Sequence, residues 1–163
     1  MDIQISKLSS VHFKEFGELI KIFEVVFDMD DYKMPEQEHL QWLLDKPDFF
    51  SLIAKDNSRV VGGLTVYILH RYYSTKQSAY IYDIGVLPEY QRKGIGRKLI
   101  AHLVRYCKEN DFEEVYVEAE SGDTQAVNFY RQLNFSSELQ ATHFTHSFSL
   151  KDGSLNKPKW SPG

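Results

Sequence analysis

The chain has 163 residues, 42% of them hydrophobic and 14% aromatic, which is enough apolar surface for one core without disulfide or metal staples. A formal net charge of −4 argues against nucleic acid as the main partner, since phosphate binding needs a basic stripe. The single cysteine, Cys107, excludes an internal disulfide framework and fits a reducing compartment. No stretch reaches the roughly 18 apolar residues of a membrane span, and MDIQISKLSS lacks the basic-then-apolar pattern of a secretory leader. A soluble cytoplasmic protein with no membrane partner is therefore expected.

In chain order, Ile3 and Ile5 begin a first strand, and residues 11–27 read as an amphipathic helix with Phe16, Leu19, Ile20 and Phe23 on its apolar side. Residues 28–35 break that pattern, and 36–44 make a second short helix ended by Pro47. Strands are predicted over 49–55 and 60–69, joined by a turn at Asp56-Asn57-Ser58. Gly62 and Gly63 mark a bulge or a close backbone approach in the second of them. A polar and aromatic connection, 70–78, leads to a strand from Ala79. Leu87-Pro88-Glu89-Tyr90 turns the chain into a helix from about Gly94, with Ile95, Leu99, Leu103 and Tyr106 at helical spacing. Val115, Val117 and Ala119 then alternate with Tyr116, Glu118 and Glu120, as in a strand with one apolar and one polar face. Ser121-Gly122-Asp123 breaks it, and Asp123 suits the N-cap of a helix through Ala126, Val127, Tyr130 and Leu133. Residues 142–150 read as a last strand. A single domain is thus expected over 1–150, with 151–163 as a flexible tail rich in Lys, Pro, Ser and Gly.

The run QRKGIG, residues 91–96, carries the clearest chemistry. Placed at a helix start, it can point several backbone N–H groups at one anion, with the positive end of the helix dipole behind them and Arg92 and Lys93 alongside. A pyrophosphate would fit. The run is not a Walker A loop, because no Gly-Lys-Ser/Thr follows, and it lacks the three glycines of the dinucleotide fingerprint. Upstream, Asp83 stands in an apolar strand, where a carboxylate is costly unless used or paired. Strict alternation places it with Ile81 and Gly85, opposite Tyr82 and Ile84. Asp28, Asp30, Asp31, Glu36 and Glu38 crowd the break after the first helix, and Glu113, Glu114, Glu118, Glu120 and Asp123 crowd the later strand. Such surfaces draw a cationic substrate or are simply solvated. The six histidines are scattered, and His143 and His146 face opposite sides of their predicted strand, so no metal site is expected.

Two segments, YIYDIGVLPEYQRKGIGRKLIAHL from Tyr80 and VYVEAESGDTQAVNFYRQLNF from Val115, together resemble the GNAT superfamily of acyl-CoA-dependent N-acyltransferases. In that superfamily a Q/R-x-x-G-x-G/A loop holds the coenzyme A pyrophosphate, and a later helix ends in a tyrosine and a Gly-Phe pair. Here Ala126, Tyr130 and Phe135 fall at the matching intervals, with Asn134 in place of the usual glycine and Asp123 in place of the usual asparagine. Asn tolerates the left-handed conformation and Asp caps as well as Asn. YIYDIGV, VYVEAESGDTQAVNFY and the closing THF of residues 142–144 narrow the likeness to the type I aminoglycoside 3-N-acetyltransferases.

The resemblance implies an α/β fold with a mixed, mostly antiparallel sheet flanked by helices, and acetyl-CoA as co-substrate. Its implied contacts are the backbone of Ile84, Gly85 and Val86, the loop residues Gln91, Arg92, Lys93, Gly94, Ile95, Gly96 and Arg97, and Asp123 and Ala126. Asp83 is the first choice for the base that frees the acceptor amine, with Glu120 second. Tyr130 matches the tyrosine that protonates the departing thiolate, and the N–H groups near Ile84–Val86 would stabilise the oxyanion. Asp83, Glu118, Glu120, Asp123 and His143 are the implied substrate contacts. The acceptor would be a small cationic amine, an aminoglycoside first, with polyamines or a peptide or protein amine behind it. A homodimer paired through late strands is also implied. A different class stays open: a noncatalytic acyl-CoA-binding module that keeps QRKGIG and leaves the carboxylates idle.

Overall fold

The structure is a computed structural model that describes residues 1–148. In order, the elements are β1 (Ile3–Lys7), a 3-10 turn (Ser10–His12), α1 (Phe13–Val26), α2 (Gln37–Leu44), β2 (Phe49–Asp56), β3 (Arg59–Leu69), β4 (Ser78–Val86), a second 3-10 turn (Pro88–Tyr90), α3 (Ile95–Glu109), β5 (Glu114–Val117) and α4 (Thr124–Arg131). They build a five-stranded sheet in the order β1-β2-β3-β4-β5. The first four strands are antiparallel and β5 runs parallel to β4. The predicted mixed, mostly antiparallel sheet is therefore what forms. Asn57 supplies the left-handed residue of the β2–β3 hairpin at φ 56°. The parallel β4–β5 pair needs a crossover, and α3 provides it.

Each sheet face has its own core. On one side α1 buries Phe16, Leu19, Ile22 and Phe23, packed with Leu40 and Leu44 of α2 and with Phe49, Ile53 and Val60 of the sheet. Ile22 takes the buried place expected of Ile20, which lies at the margin of that cluster. On the other side α3 buries Ile95, Leu99, Ile100, Leu103 and Cys107 against Leu52, Leu64, Ile81 and Ile84, with Ala126 and Tyr130 of α4. The glycines of β3 serve close approach. A Cβ on Gly63 would stand 2.5 Å from the Leu52 carbonyl oxygen and 2.8 Å from the Leu19 methyl groups. That lets α1 sit directly on the sheet.

Two register shifts interrupt the ladders, and one corrects the sequence reading. Thr65 pairs with Asp83 while Val66 pairs with Ile81, so Tyr82 has no opposite residue. The bulge breaks strict alternation. Ile81 and Ile84 both belong to the α3-side core, and Asp83 joins Gly85 on the α1 face rather than sharing a side with Ile81. A Cβ on Gly85 would meet the Phe23 ring at 2.9 Å, which fixes that face.

Strand β5 ends at Val117, so Glu118, Ala119 and Glu120 lie beyond it. The last predicted strand does not form over the described residues 142–148, which are not assigned to any strand of the sheet. Leu139, Phe144 and Phe148 there are 88–90% exposed. Residues 149–150, the end of that predicted strand, and the predicted tail 151–163 lie outside the described residues.

Gly63→Ala should lower the unfolding free energy by about 1–3 kcal/mol through overpacking against Leu52 and Leu19. Urea denaturation measures it, and an unchanged midpoint would show that α1 shifts without cost.

Candidate active site

The site begins where β4 loses one of its neighbours. Ser78 to Ile81 pair with Glu114 to Val117 of β5, whereas β4 stays paired with β3 as far as Val86. Beyond Ile81 no strand among the described residues pairs with the β5 side of β4. The opening coincides with the Tyr82 bulge, which bends and twists the strand. Thr65, itself buried, occupies the irregularity from the β3 side: its Oγ1 accepts the Asp83 N–H at 3.2 Å.

At the end of β4 the run expected to cradle an anion leads into the start of α3. Arg92 (φ 58°) and Gly94 (φ 79°) are both left-handed, so the chain curls before α3 begins at Ile95. The first helical N–H groups have no side-chain cap, and they point out of the helix start as an anion site requires. Gly94 is needed for its conformation. Gly96 is needed for space, because a Cβ there would lie 3.0 Å from the Phe129 ring of α4. The predicted loop contacts divide by role. Gln91 Nε2 donates to the Val86 carbonyl at 3.0 Å and ties the loop to the strand end. Arg97 Nη1 donates to the Gln132 carbonyl at 3.3 Å and ties α3 to the end of α4. Lys93 lies over the Tyr90 ring at 5.2 Å, and Arg92 is exposed.

Asp83 and Tyr130 approach the opening from opposite faces. Among the described residues the Asp83 carboxylate has no hydrogen-bond or ion-pair partner, and burial pushes its pKa up to about 7. Among the described residues the Tyr130 hydroxyl is buried without a hydrogen-bond partner. Burial raises its pKa, with smaller contributions from the charges of Asp123 and Asp83 and from Tyr80. A buried hydroxyl left without a partner costs about 1–3 kcal/mol. Phe129 and Phe135 hold the ring in edge-to-face contact at 5.2 and 6.2 Å.

The remaining predicted site residues are not all gathered here. Glu118 accepts a hydrogen bond from the Tyr80 hydroxyl at 3.3 Å. Asp123 is the N-cap of α4, its Oδ1 accepting from the Ala126 N–H at 2.9 Å, and Ala126 is buried in the core. Glu120 is exposed past the end of β5, where its carbonyl accepts the Asp123 N–H at 2.9 Å. His143 lies on the exposed segment after α4, outside this group. Part of the expected acid is already neutralised, since Arg71 pairs with both Glu113 and Glu114. The sequence reading passed over Tyr80, Tyr116 and Thr65. The alternation of tyrosines at 80 and 82, with another at 116, was the available signal for the first two.

An anion at the start of α3, with an extended arm along the unpaired side of β4, is how an acyl thioester of coenzyme A would lie. The profile of the Acetyltransferase (GNAT) family matches residues 16–135, and the chain belongs to that family. Enzymes of the family use acetyl-CoA. Among solved structures, the chain is similar to the aminoglycoside acetyltransferase meta-AAC0020 from an uncultured soil metagenomic sample, in complex with sisomicin. Identity is 40% and the TM-score 0.88, covering 90% of this chain and 97% of that one. It is also 29% identical to N-alpha-acetyltransferase 50 of Danio rerio over 84 residues, 51% of this chain and 49% of that protein. A similar match, 29% over 75 residues, joins it to a ribosomal-protein-alanine N-acetyltransferase of Escherichia coli, covering 46% of this chain and 49% of that protein. The chain thus spans about half the length of the curated relatives it matches.

The raised pKa of Asp83 makes stability depend on pH. The folded state holds this proton up to about pH 7, whereas an unfolded aspartate releases it near pH 3.9. Its contribution is therefore full below about pH 4 and is lost as pH rises through 7. Asp83→Asn should gain stability relative to the unsubstituted protein across that window, read from denaturation midpoints at successive pH values. A constant difference would mean the carboxylate is solvated.

Proposed function

We propose that the protein is an acetyl-CoA-dependent N-acetyltransferase whose acceptor is an amine of a small polycation, with an aminoglycoside first. The observation that carries this reading is the pairing of an unpartnered carboxylate poised near neutrality, Asp83, with the orphaned hydroxyl of Tyr130 at the β4–β5 opening. The likeness to a sisomicin-bound aminoglycoside acetyltransferase over nearly the whole of both chains supports the acceptor class. The sequence resemblance to the 3-N enzymes makes the 3-amino group the first position to inspect in a product. The partial likeness to peptide and protein N-acetyltransferases favours a peptide amine as the second reading.

Acetyl-CoA supplies an activated acetyl thioester, so the chain has to align, deprotonate and stabilise. The N–H groups at the start of α3 hold the pyrophosphate, and the open side of Ile84–Val86 holds the arm. Asp83 accepts a proton from the acceptor ammonium, directly or through water, which leaves the neutral amine able to attack. Backbone N–H groups at Ile84–Val86 stabilise the oxyanion. Tyr130, kept protonated by its raised pKa, gives its proton to the leaving thiolate. The acidic α1 face, with Asp83 and Glu118, attracts the remaining ammonium groups.

Thiol release, followed across aminoglycosides, polyamines and basic peptides with product masses, tests the reading. An aminoglycoside should be the preferred acceptor. Tyr130→Phe should slow its turnover by about 100-fold with coenzyme A affinity unchanged. Equal turnover would remove the acid role from Tyr130, and coenzyme A binding with no accepted amine would favour a noncatalytic module.

We also propose that two copies pair through the segment after α4. Support comes from the exposure of Leu139, Phe144 and Phe148 and from the outer edge of β5, which pairs with no strand among the described residues. Light scattering should give a dimer mass, reduced toward the monomer by Phe144→Glu; a monomer at micromolar concentration would end this part of the proposal.

A further inference from the structure

Three polar residues are buried among the described residues, Ser51, Thr65 and Ser78, and the first two stand in one row with Asp83. Ser51 of β2 is the register partner of Thr65 of β3, which is the partner of Asp83 of β4, so the three share one face. It is the α1 face, because Thr65 lies two residues from Gly63, beside Leu19 of α1, and two from Tyr67, which packs against the α1–α2 core. Asp83 is half-buried at the end of the row. The Ser51 hydroxyl donates to the Leu64 carbonyl at 2.9 Å, and the Thr65 hydroxyl oxygen accepts the Asp83 N–H at 3.2 Å.

A buried hydroxyl costs stability unless it is bonded, and a valine would fill the place of Thr65 with the same branched shape and no polar atom. The hydroxyl is therefore explained by the bond it makes. That bond falls where two residues of β3 face three of β4, and it reaches the residue whose carboxylate the proposed reaction uses.

We infer that Thr65 is a positioning residue: its hydroxyl oxygen holds the Asp83 backbone at the bulge and so keeps the Asp83 carboxylate aimed into the site, with Ser51 bracing β3 from the far side. The inference rests on the reading of Asp83 as the proton acceptor. With no hydrogen bond or ion pair among the described residues to orient it, that carboxylate takes its direction from its own backbone. Neither charge nor α1 supplies a substitute. No charged side chain contributes to the raised pKa of Asp83, the groups that sense its charge are Tyr67 of β3, the adjoining Tyr82 and Tyr130 of α4, and Phe23 and Val26 of α1 approach the strand at Gly85 with apolar atoms only. An N–H that loses its acceptor inside a sheet is drawn toward water. Misplacing a reacting group by about 1 Å can cost about 100-fold in rate.

Steady-state kinetics with sisomicin decide it, using the unsubstituted protein, Thr65→Ser, Thr65→Val, Asp83→Asn and the double variant of Thr65→Val with Asp83→Asn. Thr65→Val, which keeps the shape and removes the oxygen, should lower kcat by between about 10- and 100-fold, with KM and coenzyme A affinity within about twofold. Thr65→Ser, which keeps the oxygen, should hold kcat within about threefold of the parent. In the Asp83→Asn background Thr65→Val should cost no more than about twofold, because its effect passes through the carboxylate. A parent-like kcat in Thr65→Val, an equal loss in Thr65→Ser, or the full loss repeated in the Asp83→Asn background overturns the inference while acetyl transfer stands. Thr65→Cys, whose sulfur is a weak acceptor, takes the place of Thr65→Val if that variant fails to fold. If the parent does not acetylate sisomicin, or Asp83→Asn turns over like the parent, the functional reading fails first. NMR titration of the Asp83 carboxyl then judges the positioning: Thr65→Val should lower its midpoint from about 7 by at least about one pH unit as the group reaches water, and equal midpoints in the two proteins overturn it.

Discussion

Ile81, Tyr82 and Asp83 of β4 face only Val66 and Thr65 of β3, and the surplus residue at Tyr82 is the constraint that the rest of the site depends on. A bulge twists the strand that carries it, and the parallel ladder to β5 stops one residue before it, at Ile81. Peptide groups beyond that point keep their β3 partners and leave the other side open. The same surplus turns Asp83 onto the α1 face while Ile84 returns to the α3-side core. One extra residue thus creates the slot and aims the carboxylate. Thr65 makes the irregularity tolerable by giving the Asp83 N–H an acceptor within the sheet.

A carboxylate at Asp83 is costly in its charged form, and nothing among the described residues repays that cost by pairing with it. Burial alone carries its pKa to about 7, where an acid can gain and lose a proton at little expense. The opposite holds for Tyr130. Burial and nearby carboxylate charge keep it protonated, which suits the donor role proposed for it. The opposite proton duties proposed for the two groups thus match the form that each environment penalises.

Much of this arrangement was legible from local pattern. The curled loop before α3, the Asp123 cap and the order of elements as far as α4 each follow from a few adjacent residues, and each forms as read. The face of Asp83 was not legible, because alternation assumes an unbroken ladder and the bulge depends on the pairing between β3 and β4. Glu120 was placed by extending a strand whose end is set by pairing, and His143 by the likeness of the THF run; β5 stops at Val117, and 142–148 is not assigned to a strand. The stacking of Tyr80 on Tyr116, 4.9 Å apart, is likewise a cross-strand property. Tyr67, Tyr80 and Tyr116 are distant in sequence, and only the sheet register makes them neighbours.

The two sides of the opening carry opposite character for a physical reason. The start of α3 offers backbone N–H groups, a positive dipole end and exposed Arg92, all suited to a pyrophosphate. Across the sheet, the α1 face offers Asp83, Glu118 and aromatic surface, all suited to a cation. If both ligands entered from one face, each would meet the other's repelling field. In the proposed reaction the split strand lies between them, so that the anionic and cationic partners would approach from opposite sides and their reacting ends would meet in the opening. There the α1 face would bring Asp83 and the α3 face Tyr130, so each proton would be handled on the side where its own ligand enters. An opening closed by continued β4–β5 pairing would keep both binding surfaces and lose their meeting point.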